Sequence, residues 1–230
     1  MKKSNKILLA GFLIGLSFIT AIHVTLYAKY KAGNYTIYNV EENQKPDAMQ
    51  TFPNILFVWV RNVPDATVIF GDVAEVEKSD ESGIVYVQKG DTLHITGSDS
   101  GNHEDYGHQV VLNIPYSATL SVFNSFVSFK GGKKIAEGSP VIYLQRSQAL
   151  FSGTKTPLQF GNIKVVASDS SAVMFNGNTQ VKNLEVRLAN SSIEYTDGDF
   201  GQLSIVTDSE SRISLQSKHL LKAKINTISQ

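Results

Sequence analysis

IKVVASDSSAVMF, read from Ile163 to Phe175, returns as LEVRLANSSIEY from Leu184, as LSIVTDSESRISL from Leu203 and, shortened, as AKINTI from Ala223. The starts lie 184−163 = 21, 203−184 = 19 and 223−203 = 20 residues apart, and two looser copies at Leu120 and Ile142 continue the series upstream at spacings of 22 and 21. Self-similarity at this period marks a solenoid, in which each copy buries its apolar face only by stacking on its neighbours. Each full copy holds two alternating segments: Ile163 and Val165, then Val173 and Phe175; Leu184 and Val186, then Ile193 and Tyr195; Leu203 and Ile205, then Ile213 and Leu215. Alternation at period two belongs to strands with one buried face. The expected fold is therefore all-β, a parallel β-helix of coils of about 20 residues.

Between the paired strands lies a polar corner: Ser168 to Ser171, then Ala189 to Ser192, then Asp208 to Ser211. Asp, Asn and Ser side chains bond nearby backbone amides and tolerate tight bends, so their recurrence in one register predicts structural turns. The competing reading is a stacked hydroxyl surface with a function of its own. Gly161, Gly177, Gly198 and Gly201 mark the other corners.

Upstream, the chain from Ile7 to Tyr27 reads ILLAGFLIGLSFITAIHVTLY, charged only if His23 is protonated. At about 1.5 Å per residue such a helix crosses a hydrocarbon layer of about 30 Å. A cleaved signal peptide would need a shorter apolar region and a small-x-small site, and Leu26-Tyr27-Ala28 begins with a large residue. The expected organisation is a cytoplasmic N-terminus at 1–6, a transmembrane anchor at 7–27 and a linker at 28–53. An N-terminal β region that caps the solenoid follows at 54–119, then repeat coils at 120–230. Lys2, Lys3 and Lys6 precede the span, while Lys29 and Lys31 follow it, which points the N-terminus into the cytoplasm and the β-helix outward. Secretion after signal cleavage is the alternative.

Composition removes several classes of function. Lys plus Arg and Asp plus Glu both number 21, so no net field recruits nucleic acid. With no cysteine there is no disulfide, thiol nucleophile or thiolate metal site.

The region from Ile55 carries short strands (ILFVWV, TVIF, VAEVE, IVYVQ, TLHIT, VVLNI) separated by turn signals such as AsnValProAsp at 62–65 and LysGlyAsp at 89–91. It reads as all-β from Asn54 onward, in irregular coils and hairpins. Its order, WVRNVPDATVIFGD, then IVYVQKGDTLHITG, then VVLNIPYSATLSV ahead of coils opening L-x-V, resembles the GIN-domain family, labelled auto-transporter adhesin head domains in bacteria. The likeness runs from about Asn54 to the C-terminus. Its most specific elements are GlyAspThrLeuHisIle at 90–95 and AsnIlePro at 113–115. The resemblance implies a β-helix displayed on the cell envelope, with no established catalysis. This chain departs from the family in its corners, Asp/Asn and Ser where Gly-Ser-Gly is usual, and in its anchor, where a cleaved signal is common.

One cluster invites a metal reading. His103, Glu104, Asp105 and His108 could ligate a divalent ion if their loop folded back on itself. Metal sites usually gather ligands from several elements, so the plainer expectation is a hairpin tip between strands at 92–96 and 109–114, with no metal and no cofactor. A β-helix enzyme acting on polysaccharide would need carboxylates gathered on neighbouring coils. The outward residues of the first strands are Lys164, Glu185, Ser204 and Lys224, and of the second Met174, Glu194 and Ser214, so no acids stack. Asp197 and Asp199 flank Gly198 as a turn would. The expected function is therefore non-enzymatic: a membrane-anchored extracytoplasmic β-helix for adhesion, envelope structure or display toward a glycan or protein ligand. A glycan-processing enzyme and an end-to-end polymerising scaffold are the alternatives. Lys218, Lys222 and Lys224 oppose the last.

Overall fold

A computed structural model describes residues 3–31, 49–77, 83–97, 110–131 and 138–228. The chain divides into two units, Met1–Lys45 and Pro46–Gln230. The first contains one helix, α1 (Lys3–Lys31). Its segment Gly11–Lys29 has a mean hydropathy of 1.7 and is long and apolar enough to cross a membrane. Three of its polar side chains find partners within the helix: the Thr20 and Thr25 hydroxyls donate to the carbonyls of Leu16 and Ala21, each at 2.8 Å. His23 Nδ1 lies 2.9 Å from the Ile19 carbonyl. Such back-bonding lowers the cost of polar groups in an apolar medium.

The second unit is a parallel β-helix. In chain order its strands begin β1 (Met49–Phe52), β2 (Phe57–Arg61), β3 (Ala66–Gly71), β4 (Ala74–Glu77), β5 (Val85–Lys89), β6 (Thr92–Thr96), β7 (Val110–Pro115) and β8 (Thr119–Phe123). They continue with β9 (Phe126–Lys130), β10 (Val141–Gln145), β11 (Gln148–Ser168), β12 (Ala172–Ala189), β13 (Ser192–Tyr195), β14 (Asp199–Thr207), β15 (Arg212–Leu215) and β16 (Ala223–Thr227). One face stacks β6, β2, β8, β10 and then the later parts of β11, β12 and β14, ending on β16. The register threads one inward column through it, Leu93, Val58, Leu120, Ile142, Val165, Val186 and Ile205, and the matching Ile225 on the last strand is exposed. A second face stacks β7, β3, β9, the starts of β11 and β12, β13 and β15.

Several expectations change. The C-terminal coils have a third face, pairing Leu158–Phe160 with Thr179–Val181 and Gln180–Val181 with Asp199–Phe200, which the two-segment reading missed. Residues 49–52, assigned to the linker, form β1. Ile142 lies opposite Val165, not Ile163. The discrepancy of two residues keeps the same side inward and belongs to a coil whose corner is longer: Gly153 to Leu158 takes three more residues than the matching Gly177 to Thr179, (158−153) − (179−177) = 3. A four-residue helix, α2 (Ser217–Leu220), interrupts the all-β region.

The largest departure is the order of rungs. The coil made by β2 and β3 comes first in sequence but sits second in space, between the β6/β7 coil and the β8/β9 coil. These are regular parallel rungs, not irregular coils. The antiparallel strands are kept for the end of the stack: β5 on β6, β4 on β7, and β1 on β4. Antiparallel edge strands of this kind cover the open end that a solenoid would otherwise present. Strands β6 and β7 pair with different neighbours on different faces, so they form no hairpin.

Inside, aromatic rings stack from rung to rung. Phe70, Phe129, Phe151, Phe175 and Tyr195 follow one another with centroids 5.8, 4.3, 4.5 and 5.1 Å apart. Phe160 and Phe200 meet this column edge-on. Each such pair adds about 0.5–1.5 kcal/mol beyond the area it buries.

The Asp/Asn/Ser corners are structural. Asn62, Asn124, Arg146, Ser170 and Asn190 all adopt positive φ, from 46° to 66°. The residue after each donates its backbone N–H to a serine hydroxyl one rung on: Val63 to Ser125, Ser125 to Ser147, Ser147 to Ser171, Ser171 to Ser191 and Ser191 to Ser211, over 2.9–3.2 Å. Each of the first four hydroxyls donates in turn to a carbonyl of its own corner. The amides that a corner removes from the strand ladders are thus paired by a serine column running along the stack.

Two stability predictions follow from this register. Val186 is fully buried beside Ile205, whereas Glu185 faces outward between Lys164 (3.1 Å) and Arg187 (3.3 Å). Val186→Asp should cost more than about 3 kcal/mol and unfold the domain, while Glu185→Ser should cost less than about 1 kcal/mol, as read by denaturant melts. Ser171→Ala strands the buried Ser147 amide and should cost about 1–3 kcal/mol in the same assay, against no more than about 0.5 kcal/mol for Ser204→Ala on the outer face.

Candidate functional site

The proposed metal ligands His103, Glu104, Asp105 and His108 lie outside the described residues. Among the described residues no group of three or more His, Asp or Glu side chains is placed to hold a metal ion. Asp197 and Asp199 are exposed, and Asp197 accepts the Gly198 amide at 2.8 Å, as a turn does. The outward columns run as read from the sequence, Lys164, Glu185, Ser204, Lys224 and Met174, Glu194, Ser214.

The outer surface of the first face carries a different arrangement near its capped end. Side chains on alternate positions point outward, and in-register pairing lines them up across rungs: Val87, His94, Trp59, Ser121 and Tyr143 in one row, Arg61 and Phe123 in the next. Trp59 is 53% exposed, Tyr143 46% and Phe57 41%. Large aromatic side chains left this open make the outer face near the capped end the candidate binding surface. Trp59 meets His94 edge-on at 5.1 Å. The guanidinium groups of Arg61 and Arg146 lie over the Phe123 ring, 5.0 and 6.0 Å from its centroid.

A depression of about 310 Å³ opens among Trp59, Arg61, Asn62, His94, Thr96 and Gly97. Its floor depends on a glycine. A Cβ on Gly97 would stand 2.0 Å from the Asn62 carbonyl oxygen, so only glycine lets the β6 corner close against the β2 corner, where the Gly97 amide donates to the Arg61 carbonyl at 3.0 Å. Asn62 is held from the other side by the Asn124 amide, 3.0 Å away. The depression therefore combines an aromatic wall, an arginine and amide and hydroxyl groups on rigid strands.

The sequence reading missed this site because ILFVWV is continuously apolar. A run of that kind reads as buried on both sides, and periodicity cannot tell which half faces water. The available signal was the contrast with later coils, whose outward positions are Lys, Glu and Ser.

At the opposite end α2 puts His219 against Tyr195 (4.8 Å) and Phe200 (4.5 Å) as the last ring of the internal column. His219 is 1% exposed, and among the described residues neither of its ring nitrogens, nor the Tyr195 hydroxyl, has a hydrogen-bond partner. Burial, reinforced by Lys218, pushes the imidazole below its ordinary value; Asp199 and Asp197 oppose this and Lys222 adds to it. Burial raises the Tyr195 phenol, helped by Asp199 and Asp197.

No family model matches this chain, and no curated protein matches it. A solved structure from Parabacteroides distasonis, provisionally described as a lipid binding protein, aligns over 79% of this chain and 96% of its own, with a TM-score of 0.32 and 11% identity. A likeness of that size carries no argument about the ligand.

The buried histidine sets a pH dependence. A neutral imidazole favoured by the fold stabilises it fully above the unfolded value of about 6.5, and that stability is lost as pH falls from there toward the depressed folded value. Thermal melts should therefore drop as pH falls through and below about 6.5, and His219→Phe should flatten that drop, because the group that binds a proton on unfolding is gone.

Proposed function

We propose that this protein is a non-enzymatic, membrane-anchored extracytoplasmic β-helix that displays a ligand-binding face. The observation that carries the reading is the row that leaves Trp59 and Tyr143 open on the outer face, with Phe57 exposed two residues along β2. A rigid sheet holds these side chains at fixed spacing, so binding requires little ordering of the protein. The outer columns of Lys, Glu, Met and Ser favour a binder over a polysaccharide-cleaving enzyme, which needs an acid and a base flanking one bond. The resemblance to GIN domains, carried by residues 90–95 and 113–115, supports the same placement on a bacterial envelope. The apolar α1 helix supplies the tether, with lysines at 2, 3 and 6 favouring a cytoplasmic N-terminus.

Fractionation tests this placement. The full-length chain should sediment with membranes and resist carbonate extraction. Protease added to the outside of intact spheroplasts should degrade the β-helix and leave a fragment containing α1. A soluble protein trimmed near Ala28 would replace the anchor with a cleaved signal, and a β-helix protected from outside protease would reverse the topology.

A further inference from the structure

The ligand class of the open face follows from what its groups can recognise, an inference that rests on the binding-face reading above. The backbone donors and acceptors of β2, β8 and β10 are already paired within the sheet, so an extended peptide cannot add to them as a strand. Recognition falls to side chains. Trp59 and Tyr143 lie in the same row with one strand between them, so at about 4.8 Å per strand they stand about 10 Å apart along the solenoid axis. That is close to the repeat of a β-linked disaccharide. Between them sits Ser121, short enough to leave the path open.

Aromatic faces are electron-rich and attract the polarised C–H groups of a pyranose ring, while the rim of the depression offers amide and hydroxyl partners for sugar hydroxyls. Charge adds to this: Arg61 and Arg146 have no carboxylate within ion-pair distance among the described residues, and both stack on Phe123. The nearby Asp169 carboxylate is engaged by Gln145 Nε2 at 2.6 Å. Two guanidinium groups fixed on an aromatic ring beside the row are suited to bidentate contact with carboxylates.

We propose that the Trp59 depression and the Tyr143 ring are two stations of one track for an acidic linear glycan. The chain lies along the solenoid axis, alternate sugars stack on the two rings, and their carboxylates reach Arg61 and Arg146. A membrane surface would share the aromatic and arginine chemistry, but a flat bilayer does not enter a depression of about 310 Å³ in which Asn62, Thr96 and Arg61 line the space beside Trp59.

Trp59 is the only tryptophan, so its emission reports on the depression directly. The full-length chain in zwitterionic nanodiscs is titrated with hexameric β-1,4-linked oligomannuronate, with a neutral cello-oligosaccharide of the same length and linkage and with phosphatidylglycerol vesicles. The acidic hexamer should quench or blue-shift the emission to saturation. Arg61→Gln and Arg146→Gln should each weaken that binding about tenfold without moving the melting temperature. Tyr143→Ala should weaken binding of the hexamer, because it removes the second station. Equal binding of the neutral oligomer overturns the acidic class and leaves the binding face standing. A response to vesicles alone makes the face a lipid contact and overturns the glycan track. No response to any of the three removes the track, while the tethered-display reading is decided separately by fractionation.

Discussion

A β-helix must turn a corner at every rung, and each turn takes a backbone amide out of the strand ladder while keeping it out of water. The serine column from Ser125 to Ser211 answers that constraint here. Each hydroxyl accepts an amide from the preceding rung, and the first four donate to a carbonyl of their own corner. Because the column links each rung to the next at the same place, it also holds the strands in register. The aromatic stack depends on that register, since rings with centroids 4.3 and 4.5 Å apart tolerate little slippage between coils. The outer row depends on it in the same way: Trp59, Ser121 and Tyr143 line up outside because Val58, Leu120 and Ile142 line up inside.

The molecule handles its two ends differently. At the N-terminal end, antiparallel β5 occupies the edge of β6, β4 that of β7, and β1 that of β4. At the other, α2 lays His219 over the last aromatic rings and Lys222 ties back to Asp199 at 3.2 Å. Both devices shield the column from water. Neither covers the outer face between them, where the aromatic row stays open.

How far the site could be read in advance follows from contrast along the chain. In the later coils the outward positions are polar, so inside and outside are distinct at each alternation, and Lys164 opposite Glu185 was legible from spacing alone. At 55–60 both faces of the strand are apolar, so the exposed Trp59 looked like core. Arg146 carried no signal as a partner of Phe123, because 23 residues separate them and only the stacking of β8 on β10 brings their side chains together.

The sequence by itself determined the solenoid, its inward columns, its polar corners and the apolar N-terminal helix, because each is a local pattern repeated at a fixed period. The tertiary structure alone decided the order of the rungs, with β2 and β3 inserted between coils that follow them in the chain, and so decided which outward side chains share a surface. Strand pairing is a non-local choice. The β2 residues carry the same inward alternation whichever neighbours they take, and only packing of the whole stack selects β6 on one side and β8 on the other.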